Sequence, residues 1–225
     1  LFGLGIGHGD EIICPSITYW ASCLPVFSLG GTVVFADIDP DTYNLDPVSV
    51  KEALTEKTGA IIPVHLAGLT ADMDSIMKIA AGKSLEVIED ACQAHLAEWR
   101  GKKVGTCGDI GCFSFQVSKN LCSGEGGAIL SDNEKLMDRC YSFHSNGRER
   151  KPASGYGYVH NGTNVRMTEF QATLLLSQMT RLEKQSRRRE QNADHLTKQL
   201  NEIPGIFPAK MYDGATRNAY HLYMF

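Results

Sequence analysis

The 225-residue sequence has no surplus of basic charge. Its 22 Lys+Arg stand against 26 Asp+Glu, giving a formal charge of −4 and a pI near 6.0. Without that surplus a phosphate backbone cannot be neutralised, which excludes a nucleic-acid binder of the electrostatic kind. No apolar run approaches the ~20 residues of a membrane-spanning helix. There is no internal repeat, no low-complexity tract and no Cys-x-x-Cys pair. The seven cysteines are odd in number, and the seven histidines are scattered rather than clustered as zinc ligands would be. Several cysteines, Cys14 and Cys112 among them, lie inside apolar strand-like runs. They are expected as buried, reduced thiols of a cytoplasmic protein.

What is present is ordinary for a globular domain: 43% hydrophobic and 21% charged residues. That apolar content excludes a disordered chain. The ends suggest an internal piece of a longer protein. The first residue is Leu, Leu1–Gly9 reads as a helix tail entering a turn, and Tyr220–Phe225 reads as a strand cut in mid-pattern.

Short apolar or β-branched runs at Glu11–Cys14, Thr32–Ala36, Ala60–His65, Leu85–Ile88, Ile110–Phe115 and Gly127–Leu130 alternate with helical patterns. One helix starts at Asp46-Pro47, an N-cap followed by proline, and runs to about Glu56. Another follows Asp72 and stops before Gly82. Near-continuous apolar strands separated by helices predict a mostly parallel sheet buried on both faces. After an amphipathic stretch, Glu134–Phe143, a polar segment, Ser145–Thr163, reads as a long loop. Thr168-Glu169-Phe170-Gln171 has the form of a capping box opening a helix to about Leu200. Ile203-Pro204-Gly205 breaks that helix, so residues 1–203 are assigned to one large domain and 204–225 to the start of a second.

Two glycine-bearing segments mislead. Gly3–Gly9 has His8 where a dinucleotide fingerprint needs its last glycine, and it precedes a strand instead of following one. Gly82-Lys83-Ser84 would need the opening glycine of a phosphate loop at Met77, inside a helix. Both read as turns.

Two segments carry chemistry. Val87-Ile88-Glu89-Asp90 is an apolar strand ending in two carboxylates, and ligands of open α/β sheets sit at the carboxyl ends of strands. Taken alone, Asp90 reads first as a helix N-cap. The next strand, Ile110–Phe115, runs into Gln116-Val117-Ser118-Lys119-Asn120-Leu121. Lys119 sits among small and apolar neighbours just past that strand end, a setting for an imine-forming nucleophile. A solvated loop lysine is the competing reading.

Together, E-D-A-C-Q-A-H (Glu89–His95), G-D-I-G-C-F-S-F (Gly108–Phe115), S-K-N-L (Ser118–Leu121) and G-E-G-G-A (Gly124–Ala128) resemble the DegT/DnrJ/StrS sugar aminotransferases. These belong to the fold-type I enzymes of pyridoxal 5'-phosphate (PLP). The resemblance extends to Pro15–Ser22, Pro63–Leu66 and Gly162–Glu169. It implies a three-layer α/β/α sandwich.

It also implies roles. Lys119 would hold PLP as an imine, and Asp90 would pair with the pyridine nitrogen. Gln93 would lie near the ring's phenolic oxygen, and Tyr19 would stack on the ring, leaving Trp20 to packing. Ser114 would bind the phosphate, and Asn164 would reach the phosphate of the partner subunit's cofactor, making the enzyme a homodimer with shared sites. The family's own phosphate cradle lies upstream of anything in this sequence, so the piece by itself is expected to hold PLP weakly. Dehydratase members replace the lysine with histidine, and Lys119 argues against that chemistry. The implied reaction moves an amino group from an amino acid, L-glutamate foremost, to a nucleotide-linked keto sugar or a ketocyclitol. A non-catalytic regulator built on the same fold is the alternative; a plain nucleotide-binding module is disfavoured by the failed glycine motifs.

Overall fold

The structure is a computed structural model, and it describes residues 1–152, 155 and 157–225. A 3-10 turn, Phe2–Leu4, closes on Gly5 at φ +83°. There follow β1 (Glu11–Pro15), α1 (Leu24–Ser28), β2 (Thr32–Ala36), α2 (Pro47–Ala53), β3 (Thr58–Ile61), α3 (Met73–Ala81) and β4 (Glu86–Asp90). The second half holds β5 (Glu98–Trp99), β6 (Lys102–Lys103), β7 (Ile110–Ser114), β8 (Gly127–Leu130), α4 (Glu134–His144), α5 (Glu169–Leu200) and β9 (Ala215–Arg217).

Six strands form the central sheet in the order β2-β1-β3-β4-β7-β8. The first five run parallel and β8 closes the edge antiparallel to β7. Alternation along the strands divides the core in two. Ile13, Ile61 and Val87 face α2 and α3, packing with Val50 and Ile76. Ile12, Cys14, Ala60, Ile88 and Ile110 face the other way, against Val26 of α1 and Leu136 of α4. Both faces are covered by helices, as the unbroken apolar strands require. This is the expected three-layer sandwich.

Helix starts follow the sequence. Asp46 accepts from Val48 N with proline next to it, Asp72 accepts from Ser75 N, and Thr168 and Gln171 close a reciprocal capping box.

Four expectations need correction. α2 stops at Ala53, with extended Leu54 after it, short of Glu56. Tyr220–Phe225 is not a strand; the chain's last strand is β9, which joins β5 and β6 in a separate three-stranded sheet. All seven cysteines are free, but only Cys14 and Cys23 are fully buried and the other five are half-buried. No helix begins at Asp90; its side chain instead accepts from Cys92 N, two residues on. Within the expected loop 145–163, residues 153, 154 and 156 lie outside those described, while bridges pair Ser145 with Asn164 and Arg148 with Tyr158.

Candidate active site

Parallel neighbours β4 and β7 end on the same side of the sheet, and this brings two distant segments together. Asp90 is the last residue of β4. Its Oδ2 accepts from Ser22 Oγ at 2.7 Å and its Oδ1 from Cys92 N at 3.1 Å. Ser22 lies in a 3-10 turn, Trp20–Ser22, just ahead of α1, and its hydroxyl also meets Thr18 Oγ1 at 2.8 Å. A cavity of about 540 Å3 opens beside Asp90 on this face, with Ser22, Ile88, Cys92, Cys112 and Val165 in its wall.

Lys119 follows β7 in a turn closed by its own N–H on Gln116 O at 2.9 Å. Its side chain is half-buried and its ammonium makes no hydrogen bond or ion pair among the described residues. Cys92 lies within the fields of both groups. Burial pushes its thiol pKa up, the Asp90 charge adds to that, and the Lys119 charge opposes it. Asn120 Nδ2 donates to Ala219 O at 2.9 Å, fastening the turn to the segment after β9.

Two histidines flank Lys119. His95 is buried against the rings of Phe113 and Phe115, with centroids 5.5 and 6.0 Å away. Neither of its nitrogens has a hydrogen-bond partner among the described residues. Burial lowers its pKa to about 4, helped by the positive charges of His221 and Lys119 and opposed weakly by the Ser114 backbone. His221 is also lowered to about 4, by burial and then by Lys119 and Arg189.

Gln93 Oε1 accepts from Ala67 N at 2.7 Å. Ser114, the last residue of β7, accepts from Gln116 N at 3.2 Å. Tyr19 is exposed, and Trp20 is no better packed; both are 63% accessible, set edge to face with centroids 6.4 Å apart. Asn164 is exposed and accepts from Arg166 N at 3.4 Å, while Arg166 reaches Ser145 Oγ at 3.3 Å. Neither residue caps α5, which Thr168 caps itself.

Ser22 and His65 stand inside segments marked by the resemblance, yet no role attached to them. Ser22 contacts Asp90 across 68 residues of sequence, a pairing that spacing cannot reveal. An acidic acceptor at the end of one strand and a half-buried, unpaired amine after the next fit the two ends of a PLP ring system: a protonated pyridine nitrogen and an aldehyde carbon.

This fold is that of the fold-type I PLP-dependent transferases. The whole of residues 1–225 matches the DegT/DnrJ/EryC1/StrS aminotransferase family, and the chain belongs to it. Aminotransferases of this family depend on PLP. The crystal structure of 3-amino-5-hydroxybenzoic acid synthase superposes with a TM-score of 0.92 at 39% identity, over 97% of this chain and 57% of that one. S. venezuelae DesV, solved in complex with a ketimine intermediate, gives 0.91 at 38% identity, over 98% of this chain and 58% of that one. The L-glutamine:2-deoxy-scyllo-inosose aminotransferase of Streptoalloteichus tenebrarius is 39% identical over 97% of this chain and 53% of its own length. The chain thus spans little more than half of the proteins it matches. No helix among the described residues is long and apolar enough to cross a membrane.

Proposed function

We propose that the protein bearing this chain is a PLP-dependent aminotransferase, moving an amino group from L-glutamate to the ketone of a nucleotide-linked keto sugar. One observation carries the reading: Asp90 ends β4, and Lys119 stands in the turn that follows β7, the parallel neighbour of β4, with Cys92 in the field of both. Asp90 would hold the pyridine nitrogen, Lys119 the aldehyde carbon, and Gln93, Tyr19 and Ser114 the ring's hydroxyl, face and phosphate. When bound, the cofactor supplies an electron sink for charge developing at the donor's α-carbon. Once free, Lys119 Nζ would take the proton from the donor's α-carbon as base and place it on the cofactor's former aldehyde carbon as acid, and in the second half would carry it the opposite way onto the carbon of the acceptor. Asp90 stays fixed through both halves, because Ser22 and Cys92 N restrain its two oxygens.

Residues 1–203 would form the cofactor domain and 204–225 open a second, in a cytoplasmic homodimer. Exposed Val165, which follows Asn164, and exposed Phe170 and Leu174, one turn apart at the start of α5, support the dimer: Phe170 is 86% accessible, unusual for a large apolar side chain left without a partner. A second reading, a cyclitol ketone acceptor with glutamine as donor, is favoured by the inosose aminotransferase at 39% identity.

The test is a visible spectrum of the full-length protein with PLP, before and after adding L-glutamate or L-glutamine. A lysine-bound band that disappears on adding either amino acid supports transfer. A band that neither amino acid changes would make the protein a cofactor-holding regulator.

A further inference from the structure

Glu89 and Asp90 are adjacent on β4 and face opposite sides of the sheet. Asp90 faces the cavity. Glu89 is fully buried on the other side, where four donors converge on it. His65 Nε2 lies 2.9 Å from Oε2, and the amides of Gly105, Cys107 and Gly108 donate at 2.7, 2.6 and 2.6 Å. Burial alone would push the Glu89 pKa up, but the His65 hydrogen bond and the Gly108 and Gly105 amides outweigh it and hold the group below the usual carboxylate range. A carboxylate so satisfied is a fixed anchor, whereas one stripped of a partner in the interior is costly.

Gly105 is suited to this contact. Its φ of +83° disfavours any other residue, and a Cβ there would stand 2.5 Å from the Phe113 ring.

His65 passes the anchor on. Its Nδ1 accepts from Ala71 N at 3.1 Å, which leaves the proton on Nε2 to donate to Glu89. Its own N–H donates to Asp90 O at 3.0 Å, and Asp90 N–H donates to Pro63 O at 2.9 Å. Two residues further on, Ala67 is held left-handed at φ +57°, an unfavourable conformation for alanine, and in it the Ala67 N–H donates to Gln93 Oε1. A strained residue persists only where its surroundings over-determine it. Here the surroundings are the His65 contacts before it and the left-handed Gly68 after it, whose Cβ would meet Tyr220 N at 2.9 Å.

We infer that the buried Glu89–His65 pair is a positioning device that holds the end of β4 and the strained Ala67 turn in register, and so sets Asp90 and Gln93 relative to one another. The inference rests on the reading that these two residues face the cofactor. It makes Glu89 and His65 positioning residues, acting through the backbone of residues 65–67 and touching neither substrate nor cofactor.

Two conservative variants divide the contacts. His65→Asn keeps an acceptor where Nδ1 stood but cannot reach Glu89; His65→Gln places a donor where Nε2 stood. The readouts are the pH midpoint of the lysine-bound cofactor's visible absorbance and the cofactor's dissociation constant. Both are measured on the full-length protein at a temperature where circular dichroism shows it folded. His65→Asn is expected to weaken cofactor binding about tenfold, the lower end of what losing a support behind a ligating group costs, and to shift the midpoint. His65→Gln is expected to recover most of both. Lowered thermal stability in His65→Asn, with midpoint and affinity unchanged, would overturn the inference and leave the pair a core contact. So would a His65→Gln protein that is folded yet no better than His65→Asn. The unsubstituted protein is the control for the underlying reading: if borohydride fixes no cofactor to it, the active-site assignment fails, separately from anything His65 does.

Discussion

Ser22 Oγ donates to Asp90 Oδ2 across 2.7 Å, joining the turn before α1 to the end of β4. With Cys92 N on the other oxygen, the carboxylate cannot rotate freely, yet each oxygen keeps a lone pair. Asp90→Asn should therefore fold and retain some cofactor while losing most of its activity. The amide cannot hold a pyridinium proton by charge. A charge-assisted hydrogen bond is worth about 3 kcal/mol at most, which is roughly a hundredfold in rate. Steady-state kinetics on the purified variant decide the matter: activity within a few-fold of the parent would reduce Asp90 to a turn residue.

Lys119→Ala should abolish turnover. Its amine is half-buried in the turn after β7, with no hydrogen bond or ion pair among the described residues. Proton transfer by such a group contributes roughly 10^2- to 10^4-fold, before counting the lost covalent attachment. Borohydride treatment followed by mass spectrometry of the peptides should find cofactor on Lys119 in the parent and on no lysine in the variant. A labelled peptide in the variant would mean another lysine holds the cofactor.

The fold was legible where local chemistry and burial agree. Asp72 and Gly82 bracket α3, Thr168 and Gln171 open α5, and the apolar runs of β1, β4 and β7 predict a sheet covered on both faces. The pieces that were not legible are those made by tertiary contact. β5 and β6 are two residues each and exist because β9 returns from more than a hundred residues away to pair with β5. The five residues of α1 are too few to show a helical period. In the site, Asp90 and Lys119 were candidates by position, but alone each had a plain reading as a cap or a loop lysine, and only the joint string from Glu89 to Ala128, through its resemblance to a family, gave them roles. Glu89 stood beside Asp90 in the same string, and nothing in the order of residues tells which of two adjacent carboxylates turns to the cavity and which to the amides of Gly105 and Gly108.

His95→Phe should stabilise the fold. The ring lies against Phe113 and Phe115 with no hydrogen bond of good geometry to either nitrogen and only a weak interaction with the Ser114 backbone, and a buried polar group so poorly partnered costs about 1–3 kcal/mol. A gain of about 1 kcal/mol at neutral pH is expected in urea denaturation. The pH dependence fixes the sign further. Folded His95 titrates at about 4 against an ordinary 6.5, so between those values the unfolded chain binds more protons. Stability is then greatest above about 6.5 and falls as the pH drops toward 4. His95→Phe should flatten that fall, while His221, which is shifted alike, keeps part of it. An unchanged acid slope in the variant would mean that His95 finds a partner in solution.

Asn164 poses the question of which chain it serves. It does not cap α5, and its side chain turns back to Arg166 N, so the simplest local explanation for it is gone. Its neighbour Val165 lines the cavity beside Asp90 in the same chain, which keeps a role within one subunit open. Val165, next to it in sequence, and Phe170, in the first turn of α5, are both exposed apolar side chains of the kind a second copy would cover. If sites are shared across a dimer, Lys119 and Asn164 of one working site come from different chains. Mixing inactive Lys119→Ala with inactive Asn164→Ala then yields heterodimers with one intact site, and close to a quarter of full activity at complete exchange: half the dimers, each with half its sites. If both residues serve their own subunit, every site in every dimer lacks one of them and no activity returns. Mass spectrometry of the intact dimers establishes the exchange, and the activity assay on the same sample separates the two arrangements.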